Sequence, residues 1–393
     1  MFKRQQKDKT PFEQNILPAI PRRQHTASTQ ESFDIYLFFT TLLLVLIGIM
    51  MIFSSSAILA KEQFGDTYYF LKKELLFFLI GFVALFFTKS IDYQKYSKWI
   101  YPLLGLTLIL MLMSFLPPFS HSAKGALRWI RIGGFSFQPS EFAKLSTVIF
   151  TAYLLAKKGD RAKEFIKGFL PVILISGVFI MLILAQKDLG SAFVLGSVVF
   201  ILLFVAGTRL TYLIGIFLVS LPILYFSIFS VAFRKQRILA FLDPWKYKLD
   251  SGFQVIQSFV AFKSGGFTGL GLGESKQKLF YLPEAHTDFI FSVIGEEFGI
   301  VGVICIVTLF LFLIMRGLTI ALKTQDRFGT YLALGITCLL GLEAFINFGV
   351  VMGLLPTKGL ALPLISYGGT SLVTSLIAIG ILLNISTRTG EET

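Results

Sequence analysis

Residues 34–57 read DIYLFFTTLLLVLIGIMMIFSSSA, and no charge follows Asp34 in that run. A stretch this long and apolar is no surface helix of a soluble domain. It matches the ~17–25 residues that a helix needs to cross a bilayer. Nine more stretches repeat the pattern, at 72–89, 98–116, 139–156, 168–186, 189–207, 210–231, 288–315, 328–353 and 362–385. The fold expected is therefore an all-α integral membrane domain, 34–385, of ten transmembrane helices. The largest gap, 232–287, makes a large extracytoplasmic loop between the seventh and eighth helices.

Composition agrees. Of 393 residues, 54% are hydrophobic, 43 are Phe, and only 15% are charged, against about 25% in soluble domains. A cytoplasmic enzyme, a DNA-binding module and a disordered scaffold are excluded, because none could cover that much apolar surface. The 36 basic and 23 acidic residues leave a net charge of +13. In a membrane protein that excess sets topology, because Lys and Arg collect on cytoplasmic loops, and no nucleic-acid partner is expected. Basic residues crowd the 1–33 segment, the Lys157–Lys167 run, Arg209, Arg316, Lys323, Arg327 and Arg388. Both termini are thus expected in the cytoplasm, with 1–33 and 386–393 as tails. The polar, proline-bearing first 33 residues lack an early apolar core, so no cleavable signal peptide is expected. Cys305 and Cys338 lie inside apolar runs and suggest neither a disulfide framework nor a metal site.

Two connections on the outer side are unlike the rest. Residues 117–141 combine Pro117-Pro118 with Arg128-Trp129-Ile130-Arg131 and Gln138-Pro139-Ser140-Glu141. Residues 232–287 are too long for a passive link. Within them Ser251 to Phe262 reads as a short amphipathic helix, preceded by Trp245 and Tyr247, which suit a headgroup layer. The glycines at 265, 266, 269, 271 and 273 have neither a preceding strand nor a following Gly-Lys-Ser/Thr, so a nucleotide loop is rejected in favour of flexible backbone.

Candidate chemistry sits at these outer ends. Asp288 falls where the long loop re-enters the membrane. A partly desolvated carboxylate there is a usable general base, and equally an acidic residue favoured by a helix N-terminus. Glu141 and Lys144, three apart, share a helix face within a span. They are functional candidates because such charges are costly, or else a packing ion pair. Arg128 and Arg131 add positive charge beside them, a pattern that suits an anionic phosphate ester. Gln186-Lys187-Asp188 is either a solvated turn or part of this cluster. Glu343 and Asn347, four apart, read as interhelical hydrogen bonding.

Together and in order, five groups of residues resemble the SEDS family of peptidoglycan polymerases, the FtsW, RodA and SpoVE proteins. They are Arg128-Trp129-Ile130 through Glu141; Asp188-Leu189-Gly190-Ser191-Ala192; Gln254 to Gly273 with Leu282 to Glu297; Leu355-Pro356-Thr357-Lys358-Gly359; and Leu362 to Gly369. The likeness spans 34–385 and is greatest to the cell-division, FtsW branch, on the polar tail and the form Gly271-Leu272-Gly273-Glu274-Ser275-Lys276-Gln277-Lys278-Leu279.

The resemblance implies an inverting glycosyltransferase that polymerises lipid II, a disaccharide-pentapeptide on undecaprenyl pyrophosphate, into β-1,4 glycan. It would act at the outer face of the cytoplasmic membrane, at the division septum, among membrane lipids. A class B penicillin-binding protein and other division proteins would be its partners. Asp288 matches the family's essential acidic residue, and Arg128, Glu141 and Lys144 match its loop arginine and fourth-helix pair. Arg131, His286 and Ser366 join them as candidate substrate-binding residues. Asp288 would take the proton of the attacking hydroxyl, while Arg128, Lys144 and a divalent cation, Mg or Mn, near Asp288 and Glu141 would stabilise the leaving pyrophosphate. Two readings of other classes remain: a lipid II transporter, which needs a polar path open to both sides, and a scaffold that recruits the penicillin-binding protein.

Overall fold

The computed structural model describes residues 33–116, 120–123, 126–132, 135–279 and 281–388. A helix forms at each of the ten apolar stretches. α1 (Ile35–Phe64) starts where the Asp34 side chain accepts the Leu37 amide at 2.9 Å, and stops at Gly65, whose φ of 72° only glycine adopts cheaply. α2 (Tyr69–Ser90) and α3 (Tyr96–Met113) follow. A three-stranded antiparallel sheet, order β1-β2-β3, comes next: β1 (Ser120–Ala123), β2 (Ala126–Ile132) and β3 (Phe135–Phe137). It pairs Ile130 with Phe137 and Arg131 with Ser136. Then come α4 (Pro139–Lys158), α5 (Leu170–Ala185), α6 (Leu189–Val205) and α7 (Leu210–Phe229). The long connection holds two helices, α8 (Ala232–Leu242) and α9 (Phe253–Gly265). α10 (Ile290–Lys323), α11 (Arg327–Val351) and α12 (Gly369–Arg388) complete the chain.

The protein is a multi-pass membrane protein. Seven segments are long and apolar enough to cross a bilayer: α1, α3 and α5 with their preceding turns, α7, α10, α11 and α12. α6 is apolar but has 17 residues. α2 and α4 carry Lys72, Lys73 and Glu74, and Glu141 and Lys144, inside them.

Lipid tails are as apolar as leucine, so helices in a membrane associate through close packing rather than through the hydrophobic effect. Small residues permit that packing. A Cβ on Gly380 of α12 would stand 2.4 Å from the Leu85 carbonyl of α2, and one on Gly335 of α11 would stand 2.6 Å from Val148 of α4. α11 and α12 are mostly buried, whereas Leu213 is the one buried residue of α7 among the described residues.

Several boundaries differ from the sequence reading. The small sheet adds to the helical fold inside 117–141. The eighth expected span begins at Ile290 rather than 288. The last helix begins at Gly369, with 362–368 in turns ahead of it, and runs on to Arg388, so no tail starts at 386. The amphipathic helix expected at 251–262 is α9, but α8 was not anticipated. The glycine series is ordered: Gly266, Gly269, Gly271 and Gly273 all have positive φ, and four backbone hydrogen bonds tie the segment to α10. The expected tail at 1–33 lies outside the described residues save for Phe33.

Candidate active site

Asp288 sits two residues before α10, partly buried. Its backbone is fixed by three successive carbonyls. His286 O accepts the Tyr367 amide at 3.0 Å, Thr287 O accepts the Ser366 hydroxyl at 2.6 Å, and Asp288 O accepts Asn347 Nδ2 at 3.0 Å. The same Asn347 amide group reaches Leu360 O at 2.7 Å, and Ser366 Oγ accepts the Leu362 amide at 2.8 Å. A Cβ on Gly359 would lie 2.9 Å from Asp288 Oδ2, so the carboxylate rests against bare backbone there. Asn347 thus bonds between elements, as its spacing from Glu343 suggested. The Ser366 side chain holds the Asp288 segment in place, and the His286 ring packs against Phe70 and Tyr367, with centroids at 4.8 and 5.7 Å.

Around Asp288 the fold gathers cations from three elements. Arg128 projects from β2; its Nη2 donates to Lys187 O at 2.6 Å, and its Nη1 stands 3.9 Å from Asp188 Oδ1. Asp188 is buried and caps α6, accepting the Ser191 amide and hydroxyl at 3.2 and 2.9 Å. Asp188 and the Lys187 carbonyl therefore belong to the cluster, whereas Lys187 itself is exposed and Gln186 bonds to Ser114. Arg234 and Arg237 lie three apart on α8 and so share one face. Arg237 Nη1 donates to Thr357 O at 3.2 Å, and its guanidinium carbon stands 4.2 Å from the centroid of the Phe233 ring. Lys358 Nζ lies 4.7 Å from the centroid of Phe193.

Burial lowers the pKa of Arg234, Arg237 and Lys358 from their ordinary values. The neighbouring Arg128 lowers Arg234 and Arg237 further, while Asp188, for Arg234 and Lys358, and Asp288, for Arg237, act in the opposite sense. Arg128, Arg234 and Lys358 thus lie in the field of Asp188, and Arg237 in that of Asp288. Arg128 Nε and Arg234 Nη2 are buried with no hydrogen-bond partner among the described residues. Buried donors without acceptors are costly, so the group suits an anion with several oxygens, such as a diphosphate.

Glu141 and Lys144 go elsewhere. Lys144 is buried between two carboxylates, with Nζ 2.8 Å from Glu141 Oε1 and in contact with Glu343 Oε1 of α11. Its charge is already countered, so it joins α4 to α11 rather than standing open to an incoming anion. Arg131 is exposed, and strand alternation turns it to the face opposite Arg128. The structure therefore brings Arg128 and Asp288 together through Arg237, and leaves Arg131 outside.

Arg234 and Arg237 escaped the sequence reading because they lie in the long connection, where basic residues carry little topology signal. The signal was present in Phe233, Arg234, Arg237, Ile238, Phe241 and Leu242, an amphipathic pattern of helical period.

The divalent cation expected near Asp288 and Glu141 finds no cage. Among the described residues no group of three or more His, Cys, Asp or Glu could hold a metal ion, and Glu141 is engaged by Lys144. Mg²⁺ is often held by one or two carboxylates together with substrate phosphates, which is the arrangement that remains open here.

Comparison with known proteins places the chain. The model of the FtsW/RodA/SpoVE family, described as cell cycle protein, matches residues 34–391. A protein of Geobacter sp. (strain M18) named probable peptidoglycan glycosyltransferase FtsW is 50% identical over 358 residues, covering 91% of this chain and 98% of that one. Stage V sporulation protein E of Bacillus subtilis is 40% identical over 353 residues, 90% of this chain and 96% of that one. Among solved structures, a chain from work on how a peptidoglycan synthase complex coordinates polymerization and crosslinking superposes with a TM-score of 0.75 at 29% identity. That match covers 92% of this chain and 99% of the other. The rod shape determining protein RodA of Thermus thermophilus superposes with a TM-score of 0.68 at 25% identity, with the same coverage.

Proposed function

The chain belongs to the FtsW/RodA/SpoVE family, and from that premise we propose how its site works as a peptidoglycan glycosyltransferase of cell division. The substrate is lipid II. The 4-hydroxyl of the acceptor GlcNAc attacks the anomeric carbon of the donor MurNAc and loses its proton to Asp288. The bond from that carbon to the undecaprenyl diphosphate breaks on the opposite face, which inverts the α-linked donor to a β-1,4 link. The departing diphosphate gathers charge, and Arg128, Arg234, Arg237 and Lys358 receive it, because preorganised cations in a dry site stabilise developing charge at little reorganisation cost. A divalent cation, Mg or Mn, would be held by Asp288 together with substrate phosphate oxygens and would supply further positive charge to the leaving group. The Lys144 triad holds α4 against α11 and so fixes the frame in which Asn347 anchors Asp288.

The observation that carries this reading is one carboxylate, held at its backbone, beside partly buried cations, two of which keep a buried nitrogen without an acceptor among the described residues. The membrane fold follows from the same substrate, whose prenyl anchor stays in the bilayer. The site then lies at the outer face of the cytoplasmic membrane at the septum, with both termini inside. A class B penicillin-binding protein beside it cross-links the strands, a reading supported by the structural likeness to a chain of a peptidoglycan synthase complex.

The test is gel analysis of glycan made from lipid II by the purified chain with its transpeptidase partner and a divalent cation. Wild type is expected to make long strands and Asp288→Asn none. Strands from a folded Asp288→Asn protein would remove the base from this scheme.

A further inference from the structure

A second buried charge network lies away from the cations, and the mechanism above does not use it. α10 is broken at Gly299, which has φ 63°. A break of this kind leaves helical carbonyls without their usual donors. The glycine-rich segment supplies them: the Leu270 and Gly271 amides reach the Glu296 and Glu297 carbonyls, both at 3.0 Å, and Gly266 O accepts the Ile300 amide at 3.0 Å. A Cβ on Gly269 would come within 2.1 Å of Glu297 O, so only glycine permits this backbone-on-backbone contact.

Side chains then lock the two segments. The Glu296 carboxylate accepts the Ser275 hydroxyl and the amides of Lys276 and Gln277 at 3.1 and 3.3 Å. Lys278 Nζ bonds to Glu297 Oε1 at 2.9 Å, to Gly273 O at 2.6 Å and to Ser54 Oγ of α1 at 3.2 Å, while Ser54 donates to Glu297 at 2.6 Å. The ion pair is buried, with the side chains of Lys278 and Glu297 6% and 0% exposed.

Lys278 and Glu297 are 19 residues apart, and Asp288 stands near the middle of the loop their contact closes. Apolar side chains of similar volume often hold two elements together as well as a buried ion pair does, so such a pair is a poor device for stability alone. It does fix register, because each partner accepts few geometries. We propose that Lys278, Glu297 and Ser54 are positioning residues that close this loop and set where the Asp288 carboxylate meets the acceptor hydroxyl. The proposal rests on the reading of Asp288 as the base.

The experiment measures kcat and KM for lipid II with the full chain and its partner, alongside the thermal midpoint of each purified variant. Lys278→Met/Glu297→Gln removes both charges and avoids stranding one of them, and Ser54→Ala supplies a milder variant if that pair folds poorly. The double variant should lose about 10- to 100-fold in kcat, the scale set by small displacements of reacting groups. Its KM should stay within about threefold, because the loss falls on the transition state. Ser54→Ala should lose kcat in the same sense, and Lys278→Arg should recover most of it. Parental kcat in a folded double variant, or a loss no larger than the unfolded fraction, would overturn the lock. Asp288→Asn in the same series separates the two ideas: activity there sinks the base, whereas a dead Asp288→Asn beside a fully active double variant sinks the lock alone.

Discussion

The two ends of the helix bundle handle charge in opposite ways. At the end holding the start of α1 and the close of α12, the described carboxylates have their own partners. Asp34 takes Arg316 through two guanidinium nitrogens at 3.0 and 2.6 Å and also caps α1. Asp92 meets Arg388 at 2.6 Å, and Asp326 accepts the Tyr93 hydroxyl at 2.8 Å while capping α11 through the Gly329 amide. Asn384 ties the Tyr93 amide to the Lys89 carbonyl. At the other end Arg128, Arg234, Arg237 and Lys358 outnumber Asp188 and Asp288, and two guanidinium nitrogens are buried without an acceptor. Partnered charge of the first kind holds helices together. Surplus, partly buried charge is unfavourable for the protein alone and becomes favourable when an anion arrives, which separates a binding site from a structural network.

The severest test of that distinction is a charged cluster beside the site that is already paired. Lys144→Met would leave Glu141 and Glu343 buried without a countercharge, at a cost of about 3–5 kcal/mol. The thermal midpoint should fall sharply, and Lys144→Met/Glu343→Gln should recover much of it. Full stability in the single variant would mean that the triad belongs with the open cations after all.

Next in size is Arg237→Gln. Removing one preorganised donor to developing charge should lower kcat by about 10²–10³-fold while the thermal midpoint barely moves. A stability loss with unchanged turnover would class Arg237 with the partnered residues of the far end. Asn347→Ala should fall between the two behaviours. It leaves the carbonyls of Asp288 and Leu360 without their donor, which costs about 1–3 kcal/mol, and it loosens Asp288, so stability and kcat should drop together. A fall in stability alone would show that the carbonyl anchors do not set the carboxylate.

How much of this was legible in the sequence divides along the same line. The apolar helices were, because a bilayer demands long apolar runs, and seven of the described segments are long and apolar enough to cross one. The resemblance pointed to Asp288 and Arg128, and the structure places Arg237 in the field of both. The Lys144–Glu343 contact joins residues 199 apart, and no local pattern announces it. The positions of Arg128 and Arg131 depend on parity along a strand, and that strand was hidden in a segment read as a polar, aromatic connection. The same holds for α8: its arginines look like any basic loop until the helix puts Arg234 and Arg237 on one face beside Thr357. The glycine run was misjudged for a physical reason too. Positive φ and close backbone approach leave the same compositional mark as flexibility, and only a partner such as the broken turn of α10 tells them apart.

The smallest effect belongs to the far end. Arg388 and Asp92 are 41% and 28% exposed in their side chains, so their contact is a surface pair whatever its length. Arg388→Ala should cost no more than about 1 kcal/mol, and higher salt should shrink even that. Turnover should be unchanged, because neither residue approaches the cations around Asp288 and the pair only joins the end of α12 to the turn before α3. A small effect would be the stronger result, since it would show that an ion pair of 2.6 Å contributes little when water can replace either partner. If instead kcat fell about tenfold with stability intact, the two ends would be coupled along α12, whose first turn follows directly on Ser366 and Tyr367. The contrast between a structural end and a chemical end would then have to be redrawn as one continuous device.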